Sequence, residues 1–158
     1  MKRLFLLRHA KAEMDSPDGS DFGRPLSERG KRDAARMGEK MRQLGLRFDR
    51  VLASPAHRVV ETVEAVGELA PTFDRRIYNA AMAQLLEVVR AVDDNVESLL
   101  IVGHNPGIGQ LAAQLTASGI DDFPPCALAA IELSVERRQD IKAGGGQLVR
   151  FITPADLD

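Results

Sequence analysis

The chain has 158 residues, is 44% hydrophobic and 28% charged, and carries a net charge of −2. That length can bury one core of its own, so a single domain over residues 1–158 is expected. The near-neutral balance excludes a general nucleic-acid binder, and any anion site has to be local.

Leu4-Phe5-Leu6-Leu7 is a continuous apolar run, the pattern of a central strand buried on both faces. The run turns charged at Arg8 and is too short for a signal peptide. No other apolar run approaches the roughly 20 residues that span a bilayer, so a cytoplasmic protein without membrane contact is expected. Residues 12–26 are rich in Gly, Pro, Ser and Asp and read as a loop. Ser27 can cap the next helix, whose inward face is Ala34, Met37, Met41 and Leu44, closed by Gly45. Val51-Leu52-Ala53 is a second strand. Ser54-Pro55 then reads as an N-cap with proline at the first helical position, opening a helix striped by Val59, Val63 and Val66.

Met82, Leu85, Leu86, Val89 and Val92 recur with the period of a third helix. Ser98 to Gly103 is a strand ending at His104. Asn105-Pro106 repeats the cap-plus-proline device ahead of a helix lined by Ile108, Leu111, Ala112 and Leu115. Cys126, the one cysteine, has no partner for a disulfide or a zinc knuckle and reads as a small buried hydrophobe. Strands at Ala127–Leu133 and Gln147–Ile152 are joined by a charged turn ending in Gly144-Gly145-Gly146. That triple glycine lacks the strand-loop-helix setting of a phosphate loop and reads as a hairpin connection. Strands alternating with amphipathic helices predict an α/β fold, a three-layer α/β/α sandwich with a largely parallel central sheet.

Ligands of such sheets sit outside the carboxyl ends of the strands. Those ends carry Arg8 and His9, Arg58 one turn into the following helix, and His104, while two helix N-termini favour an anion nearby. A metal site would compete for the same residues. The three histidines, His9, His57 and His104, lack HxxxH or HxH spacing and have no adjoining acidic ligand, so no metal is expected. His57 belongs at the mouth of the site or in solvent. Lys11 either adds positive potential or lies on the surface.

Leu7-Arg8-His9-Ala10, Ser54-Pro55-Ala56-His57-Arg58-Val59-Val60-Glu61-Thr62 and Val102-Gly103-His104-Asn105 resemble, in order, three signatures of the histidine phosphatase superfamily, which includes the phosphoglycerate mutases. The short length, Arg8-His9-Ala10-Lys11-Ala12 and Arg24-Pro25-Leu26-Ser27-Glu28-Arg29-Gly30 are similar to the small SixA-type phosphohistidine phosphatases. The resemblance implies a phosphoglycerate mutase-like sandwich and no cofactor. It implies that His9 becomes phosphorylated while Arg8, Arg58 and His104 hold the equatorial oxygens. It also implies a phosphorylated protein as partner, such as a histidine phosphotransfer domain. The chemistry suits these types: imidazole is nucleophilic near neutral pH, with an ordinary pKa of about 6.5, and the transferring group needs positioning and charge.

Phosphomonoesterases of that superfamily add a carboxylic acid from the segment between the second helix and the His104 motif. Here Tyr78-Asn79 stands about where a Glu is expected, with Asp74 nearby and Glu13 another possible donor. Tyr78 either packs its ring or enters the site. Without an acid, the favoured substrate is a phosphoramidate, whose leaving group is weakly basic. Two other readings remain open: a phosphomonoesterase for a small metabolite, and a non-catalytic phosphate-binding module. Mutase activity is disfavoured, because no insertion is evident to close the pocket.

Overall fold

The N-terminal apolar run becomes strand β1 (Lys2–Arg8), and its side chains divide by parity. In a computed structural model, which describes residues 1–118, 120 and 122–157, Leu4 and Leu6 enter one core and Phe5 and Leu7 the other. Strand β4 (Ser98–Gly103) divides the same way, Leu99 and Ile101 against Leu100 and Val102. This is the reason both strands read as unbroken apolar runs: a strand covered on both faces has no solvent side to mark with polar residues.

Apart from short 3₁₀ turns, the remaining elements are α1 (Glu28–Gln43), β2 (Arg50–Ala53), α2 (His57–Val66), β3 (Thr72–Phe73), α3 (Met82–Arg90), α4 (Gly107–Thr116), β5 (Leu128–Leu133) and β6 (Gly146–Ile152). The sheet order is β3-β2-β4-β1-β5-β6. β3, β2, β4 and β1 are parallel, and the β5–β6 hairpin is added antiparallel at one side. Helices α1 and α2 cover one face, and α3 and α4 the other. The expected three-layer sandwich with a parallel core is therefore the fold. The edge strand β3, only two exposed residues, has no apolar run to announce it. Among the described residues no helix is long and apolar enough to cross a membrane.

Most local expectations hold, and three are corrected. Ser27 accepts a hydrogen bond from Gly30 N and caps α1. Ser54 does not cap α2, whose cap position is Ala56. Its N–H instead extends the β2–β4 ladder to Val102 O (3.1 Å), which keeps Ser54 in the sheet, too early to reach the helix. At α4, Pro106 occupies the cap position, and the Asn105 side chain accepts from Gly109 N at 3.0 Å. α3 ends at Arg90, so Val92 packs from the turn beyond it, and Val88 joins Leu85 and Val89 in the buried stripe. Cys126 is fully buried, as a small apolar residue would be.

Helices α1 and α2 meet at Gly38, where a Cβ would lie 2.0 Å from Val66 O. That contact is backbone and has no flexible side chain to yield. Gly38→Ala is expected to destabilise the fold by about 1–3 kcal/mol, the usual cost of overpacking, read as a lowered urea midpoint. An unchanged midpoint would show that the two helices can separate freely.

Candidate active site

Strands β2, β4 and β1 are neighbours, and their carboxyl ends finish level. Arg8 is in register with Gly103, and Ala53 with Val102. The ladder continues past the strands, His9 N donating to Gly103 O at 3.0 Å beside the Ser54–Val102 bond. His9, Ser54 and His104 therefore leave the sheet side by side. Arg58, in the first turn of α2, turns back over the same edge. All four side chains are buried, and the His9 and His104 ring centroids lie 5.3 Å apart. Thr62, also buried, joins the two halves: its Oγ1 accepts from Ala10 N (3.0 Å) and donates to Arg58 O (2.7 Å).

Each arginine is anchored by a carbonyl and keeps one buried N–H unspent. Arg8 Nη1 donates to Phe123 O at 2.9 Å, and Arg58 Nη1 to Asp21 O at 2.8 Å. The Nε groups of both have no partner among the described residues. Buried donors are almost always paired, so two unpaired guanidinium N–H groups beside two histidines suit an oxyanion.

The contacts also set the state of the His9 ring. His9 Nδ1 lies 2.7 Å from Ala10 O, and a carbonyl only accepts, so the ring proton sits on Nδ1 and Nε2 keeps its lone pair. Burial above all, with the positive charges of Arg58, Arg8 and Arg24, brings the His9 pKa down to about 4, despite the bond to Ala10 O. Burial, then the neighbouring His9 and Arg58, brings His104 down to about 3. Both rings are therefore neutral near pH 7.

One residue the sequence did not disclose is central. Asp21, in the loop after β1, accepts from Tyr78 Oη (2.6 Å), Asn79 Nδ2 (3.2 Å), Arg58 Nη2 (3.2 Å) and Arg24 Nη1 (3.1 Å). The Tyr78 hydroxyl first, then Arg24, Asn79 and Arg58, hold its carboxyl far below the usual carboxylate range. Nothing in the sequence separates it from Asp15 and Asp18 of the same loop, except its place three residues before Arg24. Tyr78 does both things that were open: its ring packs edge-on against Phe22 and His104, and its hydroxyl enters the site.

The other candidates fall away. The Asp74 carboxylate is taken up by Arg76, and Glu13 is exposed, its side chain without a hydrogen bond or ion pair among the described residues. His57 is exposed with Glu61 at 3.6 Å, and Lys11 is exposed. Asp122, also exposed, lies close enough to Arg8 to act on its charge. Among the described residues no three His, Cys, Asp or Glu side chains cluster as metal ligands.

The family model of the histidine phosphatase superfamily (branch 1) matches residues 4–78, which include Arg8, His9 and Arg58. An uncharacterized protein of Mycobacterium tuberculosis is 36% identical over 94% of this chain and 99% of its own length. The chain belongs to the histidine phosphatase superfamily. Within that superfamily, it is 28% identical to the phosphohistidine phosphatase SixA of Escherichia coli, over 98% of this chain and 96% of that protein. The structure of a protein histidine phosphatase SixA complexed with tungstate superposes with a TM-score of 0.83 at 25% identity, covering 99% of each chain. As a member of this superfamily the protein is a phosphatase with the phosphoglycerate mutase-like fold.

Because the His9 pKa is lowered, its ring is expected to stay neutral on acidification through pH 6 and to take up a proton only near pH 4. An NMR titration of the ligand-free protein checks this; a His9 midpoint near 6.5 would mean that the ring is solvated.

Proposed function

We propose that this protein is a phosphohistidine phosphatase, acting in the cytoplasm as one domain over residues 1–158 and needing no cofactor. His9 Nε2 attacks phosphorus, the P–N bond to the substrate imidazole breaks, and a phosphoryl group is left on His9. Water then attacks that group, releasing orthophosphate and the free ring. Arg8, Arg58 and His104 hold the three equatorial oxygens, where the charge of the transferring group is spread.

The observation that carries the choice of substrate is the state of Asp21. It is the carboxylate hydrogen-bonded within the site, and four donors keep it ionised, so it holds no proton for a leaving group. An alkoxide needs that proton. The imidazole of phosphohistidine, protonated on its other nitrogen, departs as a neutral ring without it. The tungstate bound to a SixA protein is the kind of tetrahedral oxyanion that the unpaired Arg8 and Arg58 N–H groups suit. The competing reading, a small-metabolite phosphomonoesterase, needs a proton donor, for which Asp122, an exposed carboxylate close enough to Arg8 to act on its charge, is the candidate.

His9→Ala is expected to abolish turnover of a phosphorylated histidine phosphotransfer domain with the fold intact. Arg58→Ala should lower it by about 10² or more, the usual loss for one preorganised charge donor. Trapping labelled phosphate on His9 of the wild type checks the intermediate, and wild-type turnover by pure His9→Ala protein would refute the mechanism.

Rates across aryl and alkyl phosphates should depend steeply on leaving-group basicity, and Asp122→Asn should leave that dependence unchanged. General-acid help is worth about 10²–10⁴ in rate, ample to detect. Fast alkyl phosphate hydrolysis lost selectively in Asp122→Asn would identify an acid and favour the metabolite reading.

A further inference from the structure

Ser54 has the sequence position of a helix cap and does not do that work. Its side chain is fully buried, and its Oγ lies 2.8 Å from His104 Nε2 and 3.2 Å from Ala56 N. The opposite ring nitrogen, His104 Nδ1, lies 3.2 Å from Arg58 Nη2. A guanidinium only donates, so Nδ1 is the acceptor. In a neutral ring the proton is then on Nε2, and Ser54 Oγ receives it. Ala56 N also donates to Oγ, so the hydroxyl is turned to accept.

A neutral His104 in this tautomer cannot donate to a phosphoryl oxygen, although its Nδ1 faces the site. We propose that Ser54 is a positioning residue for phosphoryl transfer: it holds the Nε2–H of His104, so that Nδ1 is the nitrogen offered to the phosphoryl group and a single proton there bridges it to an oxygen. The assignment rests on the phosphatase reading above. The proton arrives with the phosphoryl group in its monoanionic form and ends between Nδ1 and the oxygen. Arg58 Nη2, released from Nδ1, turns its hydrogen to the oxyanion.

The surroundings support this sequence of events. The groups facing His104 are His9, Arg58, Arg8, Tyr78 and Asp21. With no anion between the histidines, burial and the neighbouring positive groups keep the ring neutral. A phosphoryl group brings negative charge to Nδ1 and reverses the balance there, while Ser54 already satisfies the far nitrogen of the imidazolium. Ring orientation comes from the same hydroxyl, because Nε2–H has no other acceptor among the described residues.

The test is ¹⁵N NMR of His104 with orthophosphate titration, together with kinetics, in wild type, Ser54→Ala and Ser54→Thr. The free wild type should carry its ring proton on Nε2, protected from exchange, and orthophosphate should protonate Nδ1. Ser54→Ala should lose the protected Nε2–H, bind orthophosphate more weakly and turn over about 10–100-fold more slowly, the usual loss when a partner orienting a functional histidine is removed. Ser54→Thr, which keeps a hydroxyl, should recover part of each effect. Circular dichroism and the urea midpoint show whether each variant is folded. A free wild type with its proton on Nδ1 would overturn the assignment, as would a folded Ser54→Ala protein unchanged in orthophosphate response and rate. The orthophosphate arm needs no turnover. If the ring responses and the rates on aryl phosphates follow Ser54 but phosphohistidine is not hydrolysed, the phosphohistidine reading fails and the Ser54 assignment stands.

Discussion

The guanidinium of Arg58 is a cation almost without access to water, its side chain 4% exposed, and the geometry of the site follows from how it is satisfied. A buried charge must be hydrogen-bonded, or the site would not hold it. Full neutralisation by an equally buried carboxylate would leave no field for a substrate. The protein takes an intermediate course. Carbonyl and amide oxygens of Asp21 and Asn79 and the Nδ1 of His104 receive its protons, and the one carboxylate in contact among the described residues, Asp21, is half open to solvent and shared with Tyr78, Asn79 and Arg24. Positive potential therefore survives at the sheet edge, and Arg58 Nε has no partner among the described residues.

Burial first, and then that surviving potential, sets the protonation of both histidines. A positive, buried environment disfavours imidazolium, so His9 and His104 are held neutral well below neutral pH. For His9 in its proposed role as nucleophile this is an advantage, because the lone pair on Nε2 is available across the physiological range. For Asp21 the Tyr78 hydroxyl first, then Arg24, Asn79 and the charge of Arg58, favour an ionised carboxylate over a proton-donating one.

Precision comes from the sheet and not from the loops that carry the side chains. The register of β2, β4 and β1 fixes where Ser54, His104 and His9 emerge, and backbone bonds past the strand ends hold His9 and Ser54 there. Thr62 then locks the loop after His9 to the helix of Arg58 through one hydroxyl. Small shifts between these elements would misalign His9 and Arg58 together, and close backbone contacts such as Gly38 against Val66 oppose them.

Much of this was legible in the linear chain. Apolar runs, amphipathic periods and strand-to-helix junctions determined the layered α/β fold, and Arg8, His9, Arg58 and His104 stood out because each follows an apolar strand. These are local signals, carried by residue type and spacing. Asp21 was not legible, because an acidic residue in a loop rich in Gly, Ser and Asp carries no mark of where the loop folds back. Asp74 and Glu13 were equally plausible proton donors on paper, and only the path of the chain put one against Arg76 and the other in solvent. Ser54 shows the limit most clearly. Its place before Pro55 fits a helix cap, a role readable from neighbours in sequence. Its actual partner, His104, lies fifty positions away and is brought to it by strand pairing, a long-range contact that no local pattern encodes.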